Sequence, residues 1–155
     1  MVSSPDGTKK LEPTRIKLED KRVSEIVSIP IEFLVHPEGA RNWREIDSDF
    51  VKLLEDAIIQ NPFGFTSPLG VNAPDNIDFE NFDWEEMENW TTLGEKLEVF
   101  GGNHLMEASK RVVTSGQLTN SKAENYVKFR PCIVYQNLTD DEMLQVYFIY
   151  IFITL

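Results

Sequence analysis

The feature that most constrains the fold of this chain is a pair of glycines, Gly101 and Gly102, placed between the apolar stretch 97–100 and a helical pattern. Glycine lets a backbone turn sharply and come close to a ligand. The helix that follows offers unpaired N–H groups and the positive end of its dipole. The pair therefore predicts a strand-to-helix turn, which is either a plain corner of the fold or a binding site for phosphate.

The residues around this turn, 100–108, read Phe-Gly-Gly-Asn-His-Leu-Met-Glu-Ala. This stretch resembles the nucleotide-binding turn of the ParB/sulfiredoxin superfamily, and specifically the sulfiredoxin pattern Phe-Gly-Gly-Cys-His-Arg-Tyr-x-Ala. The matching positions are Phe100, Gly101, Gly102, His104 and Ala108. The resemblance implies ATP or CTP as the ligand. It places the phosphates on Gly101, Gly102, Asn103 and His104.

Two departures from the pattern limit the activity that the resemblance implies. Asn103 stands where sulfiredoxins have the catalytic cysteine, and an amide cannot act as a thiolate nucleophile, so sulfinic acid reduction is not expected. Leu105 stands where the family has an arginine that grips phosphate through two hydrogen bonds. Arg44 is the predicted replacement for this cation. Any catalysis would be nucleotidase or nuclease-like at most, and a degenerate domain that only binds remains the other interpretation.

The resemblance extends over residues 26–143, because the predicted elements follow one another in the family's order. The β-branched stretch 27–34 predicts an opening edge strand that tolerates Pro30. The resemblance places Thr66 and Ser67 beside the nucleotide, although their hydroxyls could instead satisfy the turn. The fold class expected is α/β (α+β), a small mixed sheet with packed helices.

Helix signals support this order. Asp47 is a predicted N-cap, and Asn61-Pro62 ends the helix that follows. Its apolar positions recur at helical spacing, at Phe50, Leu53, Leu54, Ala57 and Ile58. Gly116 is a predicted C-cap of the helix after the glycine pair. Thr139 and Glu142 fit a capping box that opens a last helix after a strand at 129–135.

The C-terminal residues support neither a metal site nor a DNA-binding domain. The run 146–153 carries no carboxylate where ParB-type nucleotidases hold a metal, so Mg²⁺ has no ligand set here. The chain also stops where ParB proteins continue into a DNA-binding domain, and specific DNA binding is not expected. The apolar run 147–155 is too short to span a bilayer. It is interpreted as a buried helix or as a strand-prone tail left by truncation.

Charge and cysteine content bound the partners and the compartment. A net charge of −11 argues against general affinity for nucleic acid. The polar arm 1–22 is predicted to be disordered and lacks the apolar run of a secretion signal, while its basic residues offer the only candidate nucleic-acid contact. The domain then spans 23–155. The single cysteine, Cys132, is interpreted as an inert core thiol in an intracellular protein, cytoplasmic or nuclear.

An acidic insertion at about 73–95 interrupts the domain and mixes carboxylates with aromatic residues. Packing on the domain through a short helix at 84–90 is the preferred interpretation. One alternative is a docking segment for a basic protein partner, which would make the chain a non-enzymatic interaction module. A divalent cation site is the other, although the spacing of a calcium loop is missing.

The two histidines receive different interpretations. His104 is either a phosphate ligand or a residue that helps to cap the helix, and Glu107 lies three residues on, where it could orient the ring. His36 has no partner suggested by the sequence and is expected to be an ordinary loop residue.

Overall fold

A computed structural model describes residues 20–37, 45–74, 78–79, 82–83 and 97–146. In chain order its elements are β1 (Val27–Pro30), a 3-10 turn (Ile31–Phe33), β2 (Leu34–Val35), α1 (Ser48–Gln60), β3 (Leu69–Ala73), β4 (Leu97–Gly101), α2 (Asn103–Ser115), α3 (Ser121–Lys128) and β5 (Phe129–Gln136). A further helix, α4, covers 140–146. These elements confirm a mixed α/β fold. The predictions for Arg44, the arm 1–19, the helix at 84–90 and the run 147–155 lie outside the described residues.

The strands form one mixed sheet of five in the order β1-β5-β3-β4-β2. β5 runs antiparallel to β1 and parallel to β3, while β4 runs antiparallel to β3 and parallel to β2. The prediction of a small mixed sheet is therefore confirmed. Pro30 ends β1, which is an edge strand, and an edge strand is the expected place for a proline in a sheet.

The predicted strand over 27–34 is wrong in one respect, because the structure divides it into β1 and β2 at opposite edges of the sheet. Four residue steps join Pro30 to Leu34 and reach at most about 14 Å. The outer strands of a flat five-stranded sheet would lie about 19 Å apart. The sheet must therefore curl until its two edges approach each other across the 3-10 turn.

The two faces of the sheet are covered by different helices. On one face, Val71, Val99 and Val134 pack with Met106 of α2, and α1 in turn packs on α2. The other face carries Phe100, which packs with apolar residues of α4 and of the loop before it, namely Leu138, Met143 and Val146. The sheet is thus buried between α2 on one face and α4 on the other.

The predicted helix ends are confirmed. The Asp47 carboxylate accepts hydrogen bonds from the N–H groups of Asp49 and Phe50, and α1 stops before Asn61. Gly116 caps α2 in the left-handed conformation with φ 69°. The capping box forms as well, since the Thr139 N–H donates to the Glu142 carboxylate and the Glu142 N–H donates to the Thr139 hydroxyl.

The predicted buried face of α1 is partly wrong. Leu53 is 67% exposed and Phe50 is 40% exposed, whereas Val51, which was not among the predicted positions, is fully buried with Ile58. Val51 and Ile58 lie seven residues apart, two helical turns, and both contact α2. The buried stripe is therefore rotated relative to the stripe that the apolar pattern suggested.

Two further elements differ from the sequence-based prediction. The helix α3 was not predicted, although Asn120 caps it by accepting from the N–H groups of Lys122 and Ala123. Lys21 and Arg22, which the prediction assigned to the disordered arm, extend the antiparallel pairing of β5, because the Lys21 carbonyl accepts from the Gln136 N–H. The ordered domain therefore includes both residues.

A bilayer-spanning helix, of sufficient length and apolarity, is not found in the described part of the chain.

Candidate functional site

The glycine turn forms as the sequence predicts. Gly102 follows β4 and takes the left-handed conformation with φ 94°. It is the N-cap residue of α2, and since glycine has no side chain, this position provides no side-chain cap for the helix. A β-carbon at Gly102 would lie 2.4 Å from Cδ2 of the buried Leu69. Both the positive φ and the close approach of Leu69 require glycine at this position.

Asn103, the first residue of α2, is held by the strand before it. Its Nδ2 donates to the Val99 carbonyl oxygen at 2.7 Å. A carbonyl oxygen can only accept, so this bond fixes the amide orientation and leaves Oδ1 facing the Nδ1 atom of His36 at 3.0 Å. The residue that stands at the family's cysteine position is therefore a structural bridge between β4 and the end of β2.

The expectation that His36 is an isolated loop residue is wrong. Its Nδ1 lies 3.0 Å from the Asn103 Oδ1, and its Nε2 lies 3.0 Å from Oε2 of Glu107. Each ring nitrogen thus faces an oxygen that can only accept, and both hydrogen bonds form together only in the imidazolium form. His36 joins two residues on the first turns of α2 to the edge strand β2.

Glu107 therefore orients His36 rather than His104, which corrects the other expectation about this carboxylate. The hydrogen bond from His36 lowers the pKa of Glu107, burial opposes this change, and the hydrogen bond from Arg111 lowers the pKa further. The Arg111 Nε lies 3.1 Å from Oε1 of the same carboxylate. The Glu107 carboxylate is the centre of a His36–Glu107–Arg111 network along α2.

Glu107→Gln is expected to reduce the dependence of stability on acid pH. The pKa of Glu107 is lower in the native protein than its ordinary value of 4.5. The unfolded state therefore binds more protons than the native state at the acid pH values between these two pKa values. The carboxylate then stabilises the fold above pH 4.5 and loses this effect as the pH falls through the native pKa. Urea unfolding of both proteins between neutral and acid pH measures the difference.

The expected result is a gap in unfolding free energy at pH 7, on the order of 1 kcal/mol for lost hydrogen bonds, that closes as the solution is acidified. Glu124→Gln is the control, because this carboxylate pairs with Lys128 on the exposed face of α3. A gap that stays constant with pH would contradict the role given to Glu107.

His104 is buried between α1 and α2. Its exposed fraction is 7%, its Nε2 accepts a hydrogen bond from the Asp47 N–H at 3.1 Å, and its ring packs on Phe50 at a centroid distance of 5.2 Å. An accepting Nε2 carries no proton and cannot donate to phosphate from that atom. The observed contact ties the N-cap of α1 to the first turn of α2, just after the glycine turn, and the phosphate role of His104 stays a prediction.

Two of the three remaining predicted ligands, Thr66 and Ser67, lie among the described residues. Thr66 and Ser67 are exposed in the loop before β3. Leu69, whose side chain meets Gly102, follows Ser67 by two residues and Thr66 by three, so the α-carbons of these two residues lie at most about 7 Å and 11 Å from that of Leu69. Arg44 lies outside the described residues, and its contact with the turn stays a prediction.

Sequence reasoning missed Arg130, the largest fully buried side chain among the described residues. Its Nε donates to the Ser109 hydroxyl at 3.0 Å and its Nη1 to the Phe65 carbonyl oxygen at 3.2 Å, while its Nη2 has no hydrogen-bond partner. Burial lowers the pKa of this guanidinium. The strand alternation offered a signal, because Arg130 shares a face with the buried Cys132 and Val134.

Cys132 is confirmed as a buried core thiol. It has no exposed surface, its Sγ donates to the Arg130 carbonyl oxygen at 3.4 Å, and burial raises its pKa. A thiol that resists ionisation is a poor nucleophile and metal ligand. Within the described ranges, no group of three or more His, Cys, Asp or Glu residues is arranged to hold a metal ion.

Part of the acidic insertion packs on the domain, as the preferred interpretation expects. Phe79 and Phe82 are half-buried against the main core, with ring centroids 5.3 Å apart. These two aromatic residues contribute to the packing of the fold. The rest of the predicted docking segment, including Trp84 and Trp90, lies outside the described residues.

Comparison with known proteins did not identify a relative of this chain. The α/β fold and the glycine turn are features of the structure, and the likeness to ParB and sulfiredoxin proteins remains a prediction from the sequence. No protein-family model matches the chain, and neither the curated proteins nor the solved structures include a match.

Proposed function

We propose that this chain is a ParB/sulfiredoxin-like domain that binds the phosphates of a nucleotide, ATP or CTP, at the turn between β4 and α2. The observation that carries the proposal is the N-terminus of α2, which begins at a left-handed Gly102 and has no side-chain cap there. The first N–H groups of a helix have no acceptor within the helix, and its dipole favours an anion at this end.

The neighbouring charges support an anion at this turn. No acidic residue occupies the first turn of α2. His36 lies beside this turn, with its ring nitrogens 3.0 Å from the Asn103 Oδ1 and from Oε2 of Glu107. Arg44 is proposed as the cation that faces the phosphates.

The proposal is for binding and excludes sulfinic acid reduction. Asn103 has no nucleophilic sulfur, and its side-chain N–H already donates a hydrogen bond to the Val99 carbonyl oxygen. We place the protein in a reducing, intracellular compartment, since its one cysteine is buried and unpaired.

Asn103→Asp is expected to weaken nucleotide binding about tenfold, because it adds a carboxylate beside the N–H groups that would hold phosphate. Isothermal calorimetry with ATP and with CTP, each with and without MgCl₂, measures the affinity. Asn120→Asp is the matched control, since it makes the same change at the N-cap of α3, where aspartate caps as well as asparagine.

Arg44→Ala, assayed in the same way, is expected to weaken binding if this residue supplies the missing cation. Circular dichroism establishes that each variant keeps the wild-type helix content. Absence of heat with either nucleotide up to about millimolar concentration, or equal affinity of the Asn103→Asp and Asn120→Asp variants, would overturn the proposal. The acidic insertion would then be the segment to test with basic protein partners.

A further inference from the structure

A cavity lies at the other end of β3 and β4 from the glycine turn, on the face of the sheet that α4 covers. Its volume is about 440 Å³, within the usual range for small-molecule sites. It is lined by the end of β3 with Pro74, by Glu98 of β4 and by residues 137–139, which lead into α4. Glu98 shares its face of β4 with Phe100, which contacts α4, whereas α2 packs against Val99 on the other face.

Among the residues that line this cavity, Asn72 provides the evidence for a ligand. Its exposed fraction is 8%, and its Oδ1 is buried with no hydrogen-bond partner. Leaving such an acceptor unpaired destabilises the protein, because the oxygen has lost its hydrogen bonds to water and has gained none in return. An amide oxygen can only accept, so the group that satisfies it must carry an N–H or O–H donor.

The charge around Asn72 favours a donor that is also a cation. Asn72 and Glu98 are register partners on neighbouring strands, which places their β-carbons about 5 Å apart on one face. Beside the cavity, the Asn137 carbonyl oxygen already accepts from an ammonium, that of Lys21 at 2.8 Å, whose charge is paired with the Glu142 carboxylate. The oxygens of this region thus suit N–H donors with positive charge.

We propose that this cavity binds a small organic cation with N–H donors, an alkylammonium or an alkylguanidinium. One N–H bonds to the Asn72 Oδ1 and the positive charge faces the Glu98 carboxylate. A single water could pair with the amide oxygen, but its share of liquid volume is only about 30 Å³ and it would leave most of the cavity to other occupants. The site is independent of the nucleotide proposal.

The test is a titration of the ¹⁵N-labelled full chain followed by amide ¹H–¹⁵N spectra. The probes are butylammonium chloride and ethylguanidinium chloride, and the control is tetramethylammonium chloride, which has the same charge and no N–H. We expect saturable shifts of the Asn72 side-chain amide and of the backbone amides of 137–139 with at least one of the two N–H cations, with a dissociation constant of about 1 mM or weaker. Tetramethylammonium should give no saturable shift.

Three variants test which residues bind the cation. Glu98→Gln should weaken binding at least about fivefold through loss of the carboxylate, and Asn72→Leu should abolish it. Glu32→Gln, the same change at an exposed position of the 3-10 turn, should bind as the wild type does. If Asn72→Leu does not fold, Glu98→Gln decides. Equal shifts with tetramethylammonium, no saturable shift with either N–H cation, or unchanged affinity in Glu98→Gln would each overturn the proposal.

Discussion

Gly102→Ala is expected to lower the free energy of unfolding by about 3 kcal/mol, because two independent costs meet at this residue. A β-carbon in the left-handed region costs about 1–2 kcal/mol, and overpacking a buried site costs about 1–3 kcal/mol. The new methyl would lie 2.4 Å from Cδ2 of Leu69, which is only 1% exposed. Urea unfolding followed by circular dichroism measures the loss.

Gly116→Ala is the matched control for this substitution. Gly116 also has a positive φ, 69°, but a β-carbon there would have nothing within 4 Å. It should cost only the backbone strain, about 1 kcal/mol. In a Leu69→Ala background the Gly102→Ala change should fall to this same cost, because the opposing side chain is gone. Equal losses for the two glycine variants in the wild-type background would show that Leu69 does not constrain the turn.

The second large effect is expected at Arg130, where removal of volume and removal of charge should have different results. Arg130→Ala leaves a cavity in the core and should cost about 3–4 kcal/mol. Arg130→Met fills most of the space without a charge and should leave stability within about 1 kcal/mol of the wild type, or raise it. Urea unfolding of the two variants separates these contributions.

The physical reason lies in the surroundings of the guanidinium. Among the described residues no carboxylate lies within ion-pair distance of Arg130, and its Nη2 has no partner, so the cation is buried without full compensation. When Arg130 is replaced, the two groups that accept its hydrogen bonds still have other partners. The Ser109 hydroxyl donates to the Leu105 carbonyl oxygen, and the Phe65 carbonyl oxygen accepts from the Tyr126 hydroxyl. Loss of the hydrogen bonds from Arg130 should therefore cost little stability.

Arg111→Met, at a half-exposed arginine on α2, is the control for the chemical change and should alter stability by about 0.5 kcal/mol. If Arg130→Met loses as much stability as Arg130→Ala, the buried charge itself stabilises the fold. The proposed order of the two variants would then be wrong.

The parts of this protein that the sequence by itself determined are local. The glycine turn, the Asp47 and Gly116 caps and the Thr139–Glu142 capping box each depend on residues within a few positions of one another. Conformational preference and short-range hydrogen bonds are sufficient to specify such features.

The tertiary structure decided what joins distant segments. The turn at Ile31–Phe33 separates β1 from β2, and the two strands lie at opposite edges of the sheet. The apolar pattern of the sequence is the same for two such strands as for one continuous strand. That path brings His36 to Asn103 and Glu107, 67 and 71 residues away, and the packing of α1 on α2 brings Asp47 to His104. Contacts between side chains so far apart in the sequence depend on how the sheet curls and where the helices pack. They can therefore be predicted only when the whole fold is known.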